Sequence, residues 1–283
     1  MLIPQAWARA EGEVQARDKR QLKFAVWGWG ADAAAARSEA ASRLRRLLDR
    51  VRRGEELPGG YEYAALPLRE EIVETFGDDS SGEAHAIITR NRYGARVLNT
   101  SGMLFLDVDV PEEKEGLLKR VSRLFSGDRP DPSEAALARL REALRAHGRS
   151  TFRLYRTAAG LRALAVDREY DPAGRNVQEL MKAIGTDPAF MRLCQARKSF
   201  RARLTPKPWR CAYPLPPGQH PRTDAKVVQE YAVWLLDYES LTARYATCRY
   251  VETVGSGRPR EQYDKLIALH DRATRSSEAL PLA

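Results

Sequence analysis

A chain of 283 residues with 47 lysines and arginines against 38 acids carries a formal net charge of +9, which gives length for a substantial core and a bias toward polyanionic partners such as nucleic acids or nucleotides. Cys194, Cys211 and Cys248 are odd in number and too widely spaced for a CxxC unit, so neither a disulfide framework nor a zinc module is supported, and reduced buried thiols are expected. No apolar run is as long as a membrane helix, so no membrane partner and a cytoplasmic location are expected, and His85, His147, His220 and His270 lack the i,i+4 pairing of a helical metal site.

In chain order, residues 21–29 predict a strand, and Asp32 caps a helix running to about Arg53, ended by Gly54. Leu44, Leu47, Leu48 and Val51 form its apolar stripe. Arg43, Arg45, Arg46, Arg50, Arg52 and Arg53 give it a basic surface, which reads as a solvated face or as a nucleic-acid patch. Leu57-Pro58-Gly59-Gly60 and the acidic turn 77–82 read as loops around a short helix. Extended segments are expected over 84–89, 95–99 and 103–110, the last two joined by a tight turn at Thr100-Ser101-Gly102, and a helix over 112–125.

The most informative stretch is Met103-Leu104-Phe105-Leu106-Asp107-Val108-Asp109-Val110. Strand alternation sends Asp107 and Asp109 to one face and Leu104, Leu106, Val108 and Val110 to the other. Two carboxylates on one patch repel unless a cation, basic side chains or water lies opposite. A divalent metal, a pair of arginines and plain solvation at a strand end all satisfy that requirement. The pair is expected at the C-terminal end of a central strand, where α/β sheets tend to bind ligands.

Beyond it, Asp131, Pro132 and Glu134 open a helix that closes at Gly148. Thr151–Arg156 and Leu161–Asp167 form a hairpin around Thr157-Ala158-Ala159-Gly160, and helices follow at 175–184 and from Pro188, capped by Asp187, to about Arg197. Lys198–Leu204 reads as a strand with Arg201 and Arg203 on one face, leading through Pro206, Lys207 and Trp209 into an ordered proline-rich crossing. From about residue 222 a helical C-terminal cap is expected, to about residue 273, with 275–283 as a frayed tail. Trp7, Trp27, Trp29, Trp209 and Trp234 are expected mostly in the core.

The order of an Asp-x-Asp strand, a helix, a hairpin with a small glycine-bearing turn, a helix and an arginine-bearing strand resembles the palm of archaeo-eukaryotic primases and primase-polymerases over residues 84–210. Leu104-Phe105-Leu106-Asp107-Val108-Asp109 matches that superfamily's first motif. Tyr155-Arg156-Thr157-Ala158-Ala159-Gly160-Leu161-Arg162 keeps the turn of the second but has Arg162 where its phosphate-contacting histidine stands. Phe200–Lys207 is similar to an arginine-leucine-proline stretch found in some relatives, while the third acidic motif has only Asp167 and Asp187 as candidates. The resemblance implies that Asp107 and Asp109 are catalytic and hold Mg2+ or Mn2+ for nucleotidyl transfer. It also implies that Arg162, Arg201, Arg203, Lys207 and Tyr155 contact triphosphate or template. The fold expectation is a single-domain α+β protein with a mixed or antiparallel central sheet. The functional expectations are a metal-dependent nucleotide-handling palm, intact or degenerate, a non-catalytic basic nucleic-acid module with Tyr155, Trp27 or Trp29 for stacking, or an interaction protein whose aspartates are neutralised by Arg162 or Arg203.

Overall fold

A computed structural model describes residues 1–55, 67–77, 84–110, 132–146 and 150–283. The loop at 57–60, the turn beyond Gly77, the helix expected over 112–125 and the caps at Asp131 and Gly148 lie outside the described residues. The fold is α+β with antiparallel sheets. Among the described residues no helix is long and apolar enough to cross a membrane.

The chain opens with a hairpin of β1 (Ala6–Gln15) and β2 (Gln21–Gly30), then α1 (Ala33–Arg53). Asp32 accepts from the Ala35 amide at 2.8 Å and Gly54 ends the helix at φ 67°, as its sequence signals require. Strand β1 is missing from the sequence reading, although Trp7-Ala8-Arg9-Ala10-Glu11 alternates. Its alternate positions are small or charged, so the apolar period that marks a half-buried strand is weak.

Two four-stranded sheets form the rest. One runs β3 (Glu71–Gly77), β4 (Ala84–Arg90), β5 (Arg96–Thr100) and β9 (Phe200–Arg203); the other runs β10 (Cys248–Val254), β7 (Phe152–Thr157), β8 (Gly160–Ala165) and β6 (Phe105–Asp109). Four expectations change here. Residues 71–77 are a strand rather than part of a short helix, as Ile72, Val73, Thr75 and Phe76 favour. Segments β5 and β6 do not form a hairpin: the link after Thr100 carries the chain from one sheet to the other. Strand β6 is therefore an edge strand, not a central one, and it lies against β9, the edge of the other sheet. The C-terminal region is not wholly helical, because β10 pairs with β7 through a bulge between Tyr250 and Glu252.

Helices α2 (Pro132–Ala146), α3 (Arg175–Ala183), α4 (Pro188–Arg197) and α6 (Glu261–Thr274) contribute Leu137, Leu140, Leu144, Val177, Met181, Met191, Cys194, Leu266 and Ile267 to one core with Leu104, Phe105, Leu106, Leu154 and Leu164. Each fully buried leucine there stabilises the fold by about 1.5–3 kcal/mol. All three cysteines are free and buried. Helix α5 (Ala225–Thr242) carries a second cluster of Tyr231, Trp234 and Tyr238, whose rings stack, Trp234 on Tyr238 at 4.8 Å. Tyr238 and Trp234 brace two loops of the site described below. The tail is docked rather than frayed: Ala283 is buried and its amide donates to the Ala246 carbonyl at 3.0 Å.

Candidate anion-binding site at the β6–β9 corner

Register sets the centre of the site. Asp107 on β6 lies directly opposite Arg162 on β8, and Arg162 lies opposite Tyr155 on β7. The three side chains therefore share one face, and cross-strand neighbours on one face interact. Asp109 falls opposite Gly160. A Cβ at Gly160 would stand 2.0 Å from the Val108 carbonyl oxygen, so only glycine lets this turn approach β6 so closely.

Arg162 is 1% exposed and grips Asp107 with both ends of its fork, Nε to Oδ1 at 2.8 Å and Nη2 to Oδ2 at 3.1 Å. Its Nη1 donates to the Arg203 carbonyl at 3.0 Å. Desolvation alone would raise the Asp107 carboxyl, but the Arg162 guanidinium, with Arg203 adding to it, holds it below the usual carboxylate value. The same pairing overrides the burial that works against a charged Arg162 and raises its pKa.

Behind this pair runs a polar chain that sequence reasoning missed. His270 of α6 is fully buried, with Nε2 at 3.4 Å from Arg162 Nη1 and Nδ1 at 3.0 Å from Asp271 Oδ1. Because guanidinium can only donate, Nε2 is the acceptor and the proton sits on Nδ1, facing Asp271. Asp271 also accepts from the Tyr155 hydroxyl at 2.8 Å and from Arg153 at 2.6 Å. Tyr155 is completely buried, which removes it from the residues open for base stacking. Burial pushes the Tyr155 phenol up, and Asp271 adds to that shift.

Burial lowers the His270 pKa below its ordinary 6.5; the bond to Asp271 opposes the shift and the neighbouring Arg162 adds to it. A histidine neutral in the fold and charged in the unfolded chain contributes stability that is present above pH 6.5 and lost as pH falls below it. Urea unfolding is expected to show this as a slope approaching about 1.4 kcal/mol per pH unit. His270→Gln should remove that component of the slope. An unchanged slope in the variant would refute the assignment.

The second expected arginine, Arg201, is in a different place chemically. Alternation does put Arg201 and Arg203 on one face of β9, but Arg201 is buried against Glu70 at 2.7 and 2.9 Å and against Asn99 at 2.8 Å. Glu70 in turn accepts from Thr89 at 2.6 Å. Arg201 is thus fully used inside the protein and is not available to a phosphate, contrary to its expected role.

Arg203, Lys207 and Arg210 remain, and they gather next to Asp107 and Asp109. Arg203 has its Nε buried with no hydrogen-bond partner among the described residues. Burial, then Arg162 close by, pushes Arg203 down to about 10. Burial followed by Arg203 and Arg210 also lowers Lys207, against the weaker pull of Asp109 and Asp107. Lys207 and Arg210 sit on the 3-10 turn Pro208–Cys211 and the residue before it. That turn is fixed from beneath: the Tyr238 hydroxyl donates to the Pro206 carbonyl at 2.6 Å, and Thr205 Oγ1 accepts the Arg96 amide at 2.9 Å.

Of the two expected metal ligands, Asp107 has both oxygens engaged by Arg162, while Asp109 is exposed beyond it. Asp187 caps α4 by accepting the Ala189 amide at 2.9 Å, which leaves it no role as a third carboxylate. Among the described residues no group of three or more His, Cys, Asp or Glu side chains converges. A divalent cation needs several oxygen ligands, more than Asp107 and Asp109 supply among the described residues. Arg162, buried and spent on Asp107 and the Arg203 carbonyl, is not open to a phosphate, contrary to its expected role. The corner therefore presents three cations, Arg203, Lys207 and Arg210, beside Asp109, an imbalance that suits an anion. Comparison of the chain with family models, curated proteins and solved structures returns no match.

Proposed function

We propose that this protein binds the phosphates of a nucleic acid or nucleotide at the β6–β9 corner, without chemistry of its own. The observation that carries the reading is the buried Nε of Arg203, without a hydrogen-bond partner among the described residues, beside Lys207 and Arg210. Burial first, and neighbouring cations second, work against the charged forms of Arg203 and Lys207 in the empty protein, and an incoming anion offsets both. The net charge of +9 would steer a polyanion toward the surface from a distance. Asp107 belongs to the scaffold in this reading, orienting Arg162, while Asp109 sets an acidic limit on one side.

Fluorescence anisotropy with a labelled oligonucleotide over a range of salt concentrations tests it. Affinity is expected to fall steeply with salt, and Lys207→Ala and Arg210→Ala should each reduce the log–log slope by about 0.7–0.9 for every phosphate left without its cation. Salt-insensitive binding, or none, defeats the proposal. Template-directed nucleotide incorporation that requires Mn2+ and is lost in Asp109→Ala would replace it with the catalytic, primase-like reading.

A further inference from the structure

Next to the cationic corner stands Trp209, one of five tryptophans expected mostly in the core and found 48% exposed. Its ring lies edge-on to Tyr93, centroids 5.0 Å apart at 86°, and the Lys207 ammonium lies 5.2 Å from its centre. The Arg92 guanidinium covers Tyr93 at 4.7 Å, so two rings and two cations form a continuous surface. A large ring left half in water forgoes apolar burial, yet both supports of this one are built rigidly.

Tyr93 sits in the β4–β5 turn, where Asn91 accepts the amides of Tyr93 at 2.9 Å and Ala95 at 3.1 Å. The turn closes through Gly94 at φ 82°, a conformation that side chains resist. A Cβ there would also meet the Trp234 ring at 2.3 Å. Trp209 follows the Pro206 carbonyl that Tyr238 holds, so two rings of α5 brace the two halves of the platform from below. A fixed aromatic face loses little freedom when a flat ligand settles on it.

We infer that Trp209 stacks an unpaired base of single-stranded nucleic acid while Lys207, Arg203 and Arg210 hold the adjoining phosphates. Stacking needs an exposed π-face, which every base has once unpaired and no base inside a duplex offers. The spacing favours this ligand over a bare phosphate, because Lys207 belongs to both features: it lies against the Trp209 ring and within the field of Arg203 and Arg210. Trp27 and Trp29, the rings expected to stack, are only partly exposed and lie against the guanidiniums of Arg69 and Arg43, far along the chain from Lys207, Arg203 and Arg210. The inference rests on the phosphate-binding reading above and specifies the ligand for that site.

Titration of the full chain with an oligothymidylate, an abasic strand of the same length and a duplex tests it. The oligothymidylate is expected to bind roughly 5- to 150-fold more tightly than the abasic strand, the range for one stacked base. Trp209→Ala should erase that preference while leaving the salt slope unchanged, and Trp209→Phe, which keeps a ring, should retain part of it. Equal affinity of the wild type for the oligothymidylate and the abasic strand would overturn the stacking inference and leave phosphate binding standing. Tighter binding of the duplex would overturn it too. Failure to bind any of the three removes both readings. The wild-type comparison needs no substitution, so a variant that misfolds does not spoil the test.

Discussion

Asp107→Ala is expected to lower the free energy of unfolding by about 3 kcal/mol, measured by urea denaturation at neutral pH. The substitution leaves the Arg162 guanidinium, 1% exposed, with its charge inside the protein and its carboxylate gone. Removing one partner of a buried pair typically costs about 3–5 kcal/mol, and the lower end applies here because Asp107 is 39% exposed and water can enter the space it vacates. If Asp107 instead waited for a metal beside a repelling Asp109, its removal would leave stability unchanged or raise it. Asp107→Leu combined with Arg162→Met should recover much of the loss, since a buried ion pair and a well-packed apolar pair are often close in free energy. No recovery would mean that Arg162 matters chiefly through its bond to the Arg203 carbonyl and its approach to His270.

The second large effect lies in the other sheet. Glu70→Ala is expected to destabilise by about 3–5 kcal/mol, because Glu70 and Arg201 are both nearly fully buried and the guanidinium has no other carboxylate within reach among the described residues. Glu70→Gln keeps an acceptor for Thr89 and Arg201 but loses the charge, so it should fall between wild type and alanine. Under conditions where the variants stay folded, oligonucleotide affinity should not change. A fall in affinity with stability intact would return Arg201 to the phosphate-binding set.

What the sequence made legible was local. Helix α1 could be read from Asp32 and Gly54, and the β7–β8 hairpin from its small, glycine-bearing turn, because those signals act through the backbone of a few neighbouring residues. Alternation correctly predicted that Asp107 and Asp109 would leave β6 on one side and Arg201 and Arg203 leave β9 on one side. It could not say which residues would face them. Asp107 meets Arg162 across one register, while Arg201 meets Glu70 from far along the chain, and pairings at that distance leave no periodic trace. His270 and Asp271 were invisible for the same reason: they sit on a helix whose other positions pack Leu266 and Ile267. Which tryptophan would stand out of the core was not legible, because ring size predicts burial on average, and Trp209, held out in water, departs from that average for a reason only its neighbours reveal.

The strand order also governs when the cationic corner comes into being during synthesis. Strand β5 pairs on one side with β4, almost at once, but on the other with β9, Val97 meeting Arg203; β7 similarly waits for β10. Such long closures are entropically slow. A chain emerging from the ribosome can thus form its first hairpin and α1 early, yet it assembles the cationic corner only after the braces on α5 have also emerged. A truncated product ending before α5 would carry Lys207 and Trp209 without the support that holds them in place.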